Sequence, residues 1–343
     1  MGDGAALPWG AFGVALVVAA ALSAGLILAL QPYLARYAMA RPNARSSHKQ
    51  PTPQGGGIAV VAAALAGIWL GVLSSSPVLQ GDIGPLLALS LAVVVLALVG
   101  AIDDIRGLGP GPRLLIQIVA VGIVIWALPA DFRIVPALPW PVERALLLLG
   151  GVWFVNLVNF MDGLDWMTVA EVVPVSAAVA LLGAIGTAPP LAVLVALALL
   201  GAIIGFAPFN RPVARLFLGD VGSLPIGLLL GSLLLLLAGR GHIVSALLLP
   251  LYYLADATLT LGLRIARREA IWQAHRTHFY QRATDGGFSV QDIVVRVFVL
   301  NVALATLALV SAIEPDPLVD LATLALGGAL VAWVLLSFAR GKR

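Results

Sequence analysis

Long apolar runs separated by short polar segments follow one another along the chain. The longest runs reach the roughly 20 residues that an α-helix needs to cross about 30 Å of hydrocarbon. Because lipid offers no partner for free backbone groups, such runs predict transmembrane helices and not barrel strands. We predict an all-α integral membrane protein with about 10–11 transmembrane helices. The predicted spans are Pro8–Leu30, Gly56–Leu73, Pro85–Ile102, Leu114–Leu128, Ala145–Val158, Val169–Ile185, Leu191–Phe206, Leu224–Leu237, Ile243–Leu263, Val294–Ile313 and Leu318–Phe338.

The composition excludes several other classes of protein. Of the 343 residues, 61% are hydrophobic and 11% are charged, whereas soluble domains have roughly 45–50% apolar and about 25% charged residues. The spans leave no room for a separate soluble domain, so residues 1–343 are expected to form one membrane domain. No cysteine is present, which excludes disulfides and thiolate catalysis. The first run lacks a basic segment before it, which favours a retained span over a signal peptide.

The basic residues are distributed unevenly among the loops. Sixteen of the 20 lysines and arginines follow spans 1, 3, 5, 7 and 9 or lie in the C-terminal tail, and three lie in the opposite loops. The positive-inside rule places the richer face in the cytosol. This predicts an N-terminus outside and a cytosolic C-terminus. The same bias explains the net charge of +3 without a nucleic-acid partner.

The residue types used in catalysis concentrate in the loops that are predicted to be cytosolic. Because these loops share one face of the membrane, we expect a single active site at the boundary between membrane and cytosol. The five polar clusters are Arg45–Gly57, Asp103–Leu108, Asn156–Asp165, Phe217–Ser223 and His275–Arg282.

Asp103 and Asp104 end the third span. Two adjacent carboxylates repel each other and oppose the helix dipole, which favours cations at a C-terminus. Such a pair is easier to maintain if a cation or a positively charged ligand compensates it, which favours a Mg²⁺ site or a lipid-phosphate site here. The alternative is a solvated end of the helix.

Asn156, Asn159, Asp162 and Asp165 follow one another at intervals of three residues. A helical or 3₁₀ segment places them near one face. Polar groups at this depth are expensive without partners. They suit a hard cation, or a nucleobase and sugar that need directed hydrogen bonds. The alternative is a polar cap between two spans.

Asp220 lies between two glycines, and Ser223 opens the eighth span. Glycines let the backbone approach a ligand closely, and a helix N-terminus offers free N–H groups to an anion. The acid can equally be an N-cap.

Two further segments carry residue types that bind phosphate. Gly55–Gly57 follows a proline-rich turn and could hold a phosphate, or could pack closely on another helix. His275, Arg276 and His278 could bind phosphate oxygens, or could face anionic lipid headgroups.

Asp256 lies deep inside the ninth predicted span. An acid at this depth is a functional candidate by default. The structural alternative is an ion pair with Arg264 or with another polar helix.

Taken together, these clusters fit phosphoryl transfer, which needs charge neutralisation and positioning more than covalent catalysis. At these residues the sequence resembles the polyprenyl-phosphate N-acetylhexosamine-1-phosphate transferases, glycosyl transferase family 4, roughly from Arg41 to Arg282. The resemblance implies a multi-pass enzyme of the bacterial cytoplasmic membrane with a cytosolic active site. It implies transfer of a sugar 1-phosphate from a UDP-N-acetylhexosamine to undecaprenyl phosphate, with UMP released. It also implies a Mg²⁺ requirement, with Mn²⁺ as a substitute, and leaves a homodimer open.

The resemblance also implies roles for particular residues. Asp103 would contact the lipid phosphate or act as a base, and Asp104 would support it. His48 belongs to the first cytosolic motif. The implied set is Asp103, Asp104, Asp162 and Asp165 as catalytic acids, His48, Thr52, Asn159, His275, Arg276 and His278 as substrate-binding residues, and Asp220 as the metal ligand.

The alternative within this family is a phospho-muramoyl-pentapeptide transferase of peptidoglycan synthesis, and two features argue against it. That branch carries a lysine after the aspartate pair and a run of histidines in the last loop, whereas here Ile105 and Arg106 follow the pair and the loop reads His-Arg-Thr-His. The chain is more similar to enzymes that initiate O-antigen, teichoic acid or other envelope glycans. It departs from the family at Trp166, where glycine is common, and at Gln54, where a basic residue is frequent.

Two other classes of protein compete with this interpretation. An intramembrane prenyltransferase would show two similar Asp-rich helices and would need neither the Gly-Asp-x-Gly-Ser loop nor the His-Arg loop. An ion-coupled transporter would place acids near mid-membrane on broken helices in two related halves.

Overall fold

The computed structural model describes residues 7–40, 51–75, 79–270 and 275–342. Helices account for most of this part of the chain. In order they are α1 (Trp9–Tyr37), α2 (Gly57–Ser74), α3 (Ile83–Arg106), α4 (Pro110–Trp126), α5 (Trp140–Met161), α6 (Met167–Ala184), α7 (Pro190–Phe206), α8 (Asp220–Ala238), α9 (Ile243–Leu248), α10 (Leu251–Ala266), α11 (Phe279–Asp285), α12 (Val290–Ile313) and α13 (Pro317–Arg340).

The apolar runs correspond to helices, which confirms the prediction of an all-α integral membrane protein. Within the described ranges, eight helices are long and apolar enough to cross a membrane, and α4 and α7 are shorter apolar helices. The ninth predicted span is divided, since α9 ends at Leu248 and α10 begins at Leu251. Pro250 lies in the gap, and a proline cannot donate the backbone hydrogen bond that would continue the helix. The orientation of the termini stays a prediction.

Helix α8 is the most buried of the eight spanning helices. It packs against α2, α3 and α5, among other elements. A Cβ atom on Gly57 would collide with Gly222, and one on Gly100 would collide with the backbone of Asp220. Glycines at these positions let α2 and α3 approach the first turn of α8 closely, as small residues do between membrane helices.

A short antiparallel sheet joins the first polar loop to the start of α8. Its strands are β1 (Met39–Ala40) and β2 (Thr52–Pro53), with Met39 opposite Pro53 and Ala40 opposite Thr52. Gln54 forms a parallel bridge with Phe217, and the backbone N–H of Gly56 donates to the Phe217 carbonyl at 2.9 Å. The start of α2 and the start of α8 therefore lie at the same end of the helical domain.

Candidate active site

Asp104 binds the N-terminus of another helix. Its Oδ1 accepts a hydrogen bond from the backbone N–H of Asp220 at 3.0 Å, and its Oδ2 accepts one from Val221 at 3.1 Å. These are the first two residues of α8, so Asp104 caps a helix that begins 116 residues later. Gly219 has φ +77°, and a Cβ atom there would meet the Asp104 carboxylate. A glycine is thus required beside this cap.

Asp103 faces a different set of donors. Its Oδ1 accepts from the backbone N–H of Leu108 at 2.5 Å, and its Oδ2 accepts from Arg113 at 2.8 Å. The same Arg113 nitrogen lies 3.4 Å from Oδ2 of Asp220. Arg113, in the first turn of α4, therefore links the two carboxylates.

Arg113 is a site residue that sequence reasoning missed. From the sequence, Arg113 is only one of the basic residues on the predicted cytosolic face. A single arginine in the first turn of an apolar helix, ten residues after an aspartate pair, is the signal that could have identified it.

Asp220 is the point where four helices meet. Its Oδ1 accepts a hydrogen bond from the Asn159 side chain at 2.8 Å, and the same amide donates to Ser223 Oγ at 2.8 Å. Together with Asp103 and Arg113, these residues come from α3, α4, α5 and α8. The structure thus brings together Asp103, Asp104, Asn159 and Asp220, which the sequence places far apart.

Asp162 lies directly after α5 and beside this junction. Its Oδ1 accepts from the Thr168 hydroxyl at 2.5 Å. Burial, opposed by this hydrogen bond and reinforced by the carboxylates of Asp220 and Asp104, raises the pKa of Asp162 to about 8. Burial is the largest cause of the raised pKa, and the neighbouring carboxylates add to it. Asn156, one turn earlier, points elsewhere and donates to Gln117 at 2.6 Å.

Asp165 and Trp166 join the turn after α5 to the loop between α7 and α8. The buried carboxylate of Asp165 accepts from the backbone N–H of Ala214 at 2.9 Å. Trp166 has φ +62°, in the left-handed region, and is the N-cap residue of α6. Its backbone N–H donates to Asn210 at 2.7 Å, and its indole donates to the Ala207 carbonyl at 2.6 Å. The departure at Trp166 therefore alters the start of α6, where a glycine would adopt the backbone freely.

The segment His275–Arg282, called the basic loop below, packs against the end of α5. The Tyr280 hydroxyl donates to the Phe160 carbonyl at 2.8 Å. Arg276 donates to Thr284 at 2.7 Å, and the rings of His275 and His278 lie 5.0 Å apart. His278 is buried, so the structure places it beneath the surface of the loop that carries His275 and Arg276.

The remaining predicted residues have separate positions. Thr52 is buried in β2, and the neighbouring Gln54 side chain donates to the Asp104 carbonyl at 2.8 Å. His48 lies outside the described residues. Arg264 is not the partner of Asp256, because it pairs with Glu269 at 3.1 Å. Asp256 instead contacts the basic loop, since the carboxylate reaches the first residues of α11.

The fold and this site define a class of protein. It is an integral membrane protein with an acid-rich site at one end of its spanning helices. In that site Arg113 pairs with both Asp103 and Asp220. Carboxylates, an amide and a guanidinium in this arrangement suit a phosphorylated ligand that is bound together with a cation.

Comparison with known proteins supplies the family. Residues 86–238 match the model of glycosyl transferase family 4. The phospho-N-acetylmuramoyl-pentapeptide-transferase of Mycolicibacterium smegmatis is 30% identical over 345 residues, which cover 85% of this chain and 92% of the relative. A probable undecaprenyl-phosphate N-acetylglucosaminyl 1-phosphate transferase of Bacillus subtilis is 26% identical, covering 87% and 85%. The decaprenyl-phosphate N-acetylglucosaminephosphotransferase of Mycobacterium leprae is 27% identical, covering 76% and 73%. The chain therefore belongs to glycosyl transferase family 4, a family of polyprenyl-phosphate phosphosugar transferases.

Proposed function

We propose that this protein transfers an N-acetylhexosamine 1-phosphate from a UDP-sugar to undecaprenyl phosphate and releases UMP. The observation that carries the proposal is the junction at Asp220, where Asp103, Arg113 and Asn159 converge from three other helices. The names of the Bacillus and Mycobacterium leprae relatives support a polyprenyl-phosphate acceptor and N-acetylglucosamine as the first sugar to test. Such a reaction would initiate a cell-envelope glycan at the cytosolic face of the bacterial inner membrane.

The donor set fits Mg²⁺. Four carboxylates, those of Asp103, Asp104, Asp162 and Asp220, lie near one another, and Arg113 pairs with two of them, Asp103 and Asp220. In the same ranges no three acidic or histidine side chains form a preformed chelate. Mg²⁺ commonly binds through one or two carboxylates together with substrate phosphates and water. We propose Asp220 as its protein ligand, with Mn²⁺ as a substitute metal. When bound, the ion would neutralise the diphosphate and the departing UMP.

In the proposed reaction an oxygen of the lipid phosphate attacks the β-phosphorus, which bears the sugar. The bond from that phosphorus to the UMP oxygen breaks in line with the attack. A phosphate monoester has a second pKa of about 6, so the attacking oxygen is already largely ionised at neutral pH. A general base should then contribute less than the usual 10²–10⁴-fold. Asp103, which accepts from Leu108 and Arg113, fits a role in positioning and charge better than one in proton removal.

The choice of donor separates two branches of the family, and relatives from both branches match this chain. The segment Ile105–Leu108, where the muramoyl-pentapeptide branch carries a lysine, and the His-Arg-Thr-His loop favour a simple UDP-N-acetylhexosamine over the muramoyl-pentapeptide donor. A panel of UDP-sugars, scored by UMP release from the purified protein, decides between them. Release from UDP-muramoyl-pentapeptide alone would assign the chain to the peptidoglycan branch.

The reaction itself is tested with labelled UDP-GlcNAc and undecaprenyl phosphate. We expect UMP and a lipid-linked sugar phosphate, and neither product in the absence of the lipid. A prenyltransferase or a transporter would form neither product.

The predicted orientation has an equally direct test. Because the chain has no cysteine, single cysteines placed next to Asp103 and Asp220 can be labelled without background. We expect both to react from the cytosolic side, and reaction from opposite sides would refute the site.

A further inference from the structure

Asp256 is a fully buried acid that none of the steps above uses. It lies in α10 and has 0% of its surface exposed. Its Oδ1 accepts from the backbone N–H of Phe279 at 3.0 Å and from the Thr260 hydroxyl at 3.2 Å. Its Oδ2 accepts from the backbone N–H of Tyr280 at 3.1 Å and from the Tyr252 hydroxyl at 3.3 Å. Donors therefore face both carboxylate oxygens, and these hydrogen bonds replace the hydration that the side chain loses in the helix bundle.

Two of these donors fix the start of α11. Phe279 and Tyr280 are the first residues of that helix, and their N–H groups have no partner within it. The N-cap residue, His278, makes no side-chain cap of its own. Asp256 therefore replaces the missing cap from a different helix, 23 residues earlier in the chain. This contact determines where the basic loop ends.

The fifth donor is His278 itself. Its Nδ1 lies 3.3 Å from Asp256 Oδ1, in a position that satisfies hydrogen-bond geometry. Four other groups already donate to this carboxylate, so it acts as the acceptor in this contact as well, and the geometry places the hydrogen on Nδ1. The ring nitrogen Nε2 is then left as the acceptor of the neutral imidazole.

The His278 ring connects this contact to the active site. Its ring centre lies 6.2 Å from that of Phe160, which adjoins Asn159 in α5, and 5.0 Å from that of His275. Tyr280, the next residue but one, donates to the Phe160 carbonyl. A Cβ atom on Gly163 would collide with the Tyr280 hydroxyl, so the turn after α5 is shaped to receive it. The loop is thus attached to α10 on one side and to the end of α5 on the other.

We propose that Asp256 is a positioning residue of the transferase site. It holds His278 in the Nδ1–H tautomer and caps α11, and it thereby places His275 and Arg276 beside the end of α5, where the phosphates of the donor would bind. This inference rests on the proposed function for its consequence on activity. Its structural part, the tautomer and the cap, is independent of the reaction.

The tautomer is tested by ¹⁵N chemical shifts of histidine in the full-length protein in nanodiscs. The chain contains four histidines, so the His278 signals can be assigned with single substitutions. At alkaline pH, where the ring is neutral, we expect the hydrogen on Nδ1 of His278. In Asp256→Ala we expect it to move to Nε2, the tautomer that neutral histidine prefers in water. A wild-type His278 with the hydrogen on Nε2 would overturn the proposal, and this measurement does not require the variant to fold.

The kinetic consequence is tested with labelled UDP-GlcNAc and undecaprenyl phosphate. We expect Asp256→Ala to lower kcat/KM for the donor at least tenfold, mainly through KM. Asp256→Asn should fall between Ala and wild type, because its one carbonyl oxygen can still accept from α11. The matched control is Glu171→Gln, which alters another buried acid, one whose side chain accepts from Asn301 of α12, and should leave both the donor KM and the His278 tautomer unchanged.

The two experiments separate the two proposals. If the wild type transfers no sugar phosphate from any donor, the proposed function fails while the tautomer result stands on its own. If the wild type is active and Asp256→Ala keeps a normal donor KM, the positioning role is wrong and the proposed function remains.

Discussion

Two acidic regions of this membrane domain differ in how completely their carboxylates are hydrogen-bonded. At the Asp220 junction the carboxylates of Asp103 and Asp104 accept hydrogen bonds from donors on other segments. In the interior, Asn301 of α12 donates to Glu171 Oε2 in α6 at 2.7 Å. The other oxygen of Glu171 and the Asn301 carbonyl are both buried and have no hydrogen-bond partner among the described residues. Donors thus meet the carboxylates of the first region, whereas the second region leaves two buried acceptors unpaired in that part of the chain.

A proton on the Glu171 carboxyl group would give both unpaired atoms a hydrogen-bond partner. An un-ionised Glu171 can donate from Oε1 to the Asn301 carbonyl while Nδ2 of Asn301 donates to Oε2, which pairs both unpartnered atoms. The interior acid is therefore expected to be neutral. At the Asp220 junction, by contrast, backbone N–H groups, Asn159 and Arg113 meet the carboxylates from other segments, as suits a site for a cation and a diphosphate. The comparison teaches that donors from other helices converge on the acids of the junction, whereas the interior acid has, within the described ranges, one amide partner beside two unpaired acceptors.

The largest expected effect comes from Asp220→Asn. The amide keeps an oxygen for Asn159 but loses the charge that we assign to the metal, so turnover should fall at least about 100-fold. Stability should change by less than about 1 kcal/mol, because a negative charge is removed from beside two others. UMP release at saturating Mg²⁺ and a thermal unfolding midpoint measure the two effects. Near-normal turnover would remove Asp220 from the role of metal ligand.

Gly219→Ala tests the cap that Asp104 forms. The residue has φ +77°, and its new Cβ atom would meet the Asp104 carboxylate. We expect a loss of about 1–3 kcal/mol in stability together with reduced activity. Gly241→Ala is the matched control, because Gly241 has φ +93° and no atom within 4 Å of an added Cβ. If both variants lose the same amount of stability, the backbone conformation explains the loss and the Asp104 contact does not.

The sequence predicts the helices well because the signal is local. Each apolar run is one helix in the structure, and only Pro250 divides a predicted span. The order of the spans also predicts that Asp103, Asn159 and Asp220 lie at the same end of the helical domain. Which donor meets which carboxylate does not follow, since the partners are up to 117 residues apart. Arg113 was missed for this reason, as was the capping role of Asp104.

Glu171→Ala removes the interior pair. Asn301 would then lose its carboxyl partner in a buried position, and a small cavity would form, at a combined loss of about 2 kcal/mol. Thermal unfolding in detergent measures it. Activity per folded molecule should stay near normal, since the hydrogen bond that Glu171 makes comes from Asn301 of α12 and not from a residue of the Asp220 junction. A loss of activity without a loss of stability would contradict the division between the two regions.

Trp166→Phe tests the turn at the edge of the site. The aromatic ring and the φ of +62° remain, but the indole hydrogen bond to the Ala207 carbonyl is lost. We expect a loss of about 1 kcal/mol in stability. Trp166→Gly is the comparison, because it relieves the left-handed backbone while it also removes the indole. If Trp166→Phe leaves the stability unchanged, the indole hydrogen bond does not hold the loop between α7 and α8.

The smallest expected effect is the one that most directly tests the proton on Glu171. Glutamine has the shape of a neutral glutamic acid, and its Nε2 can donate to the Asn301 carbonyl while its oxygen accepts from Asn301. Glu171→Gln should therefore leave stability within about 0.5 kcal/mol of the wild type. An ionised Glu171 would instead carry an uncompensated buried charge, and its removal would stabilise the protein by several kcal/mol. A large gain in the unfolding midpoint, measured beside Glu171→Ala in the same detergent, would show that the interior acid is charged and would end the contrast with the Asp220 junction.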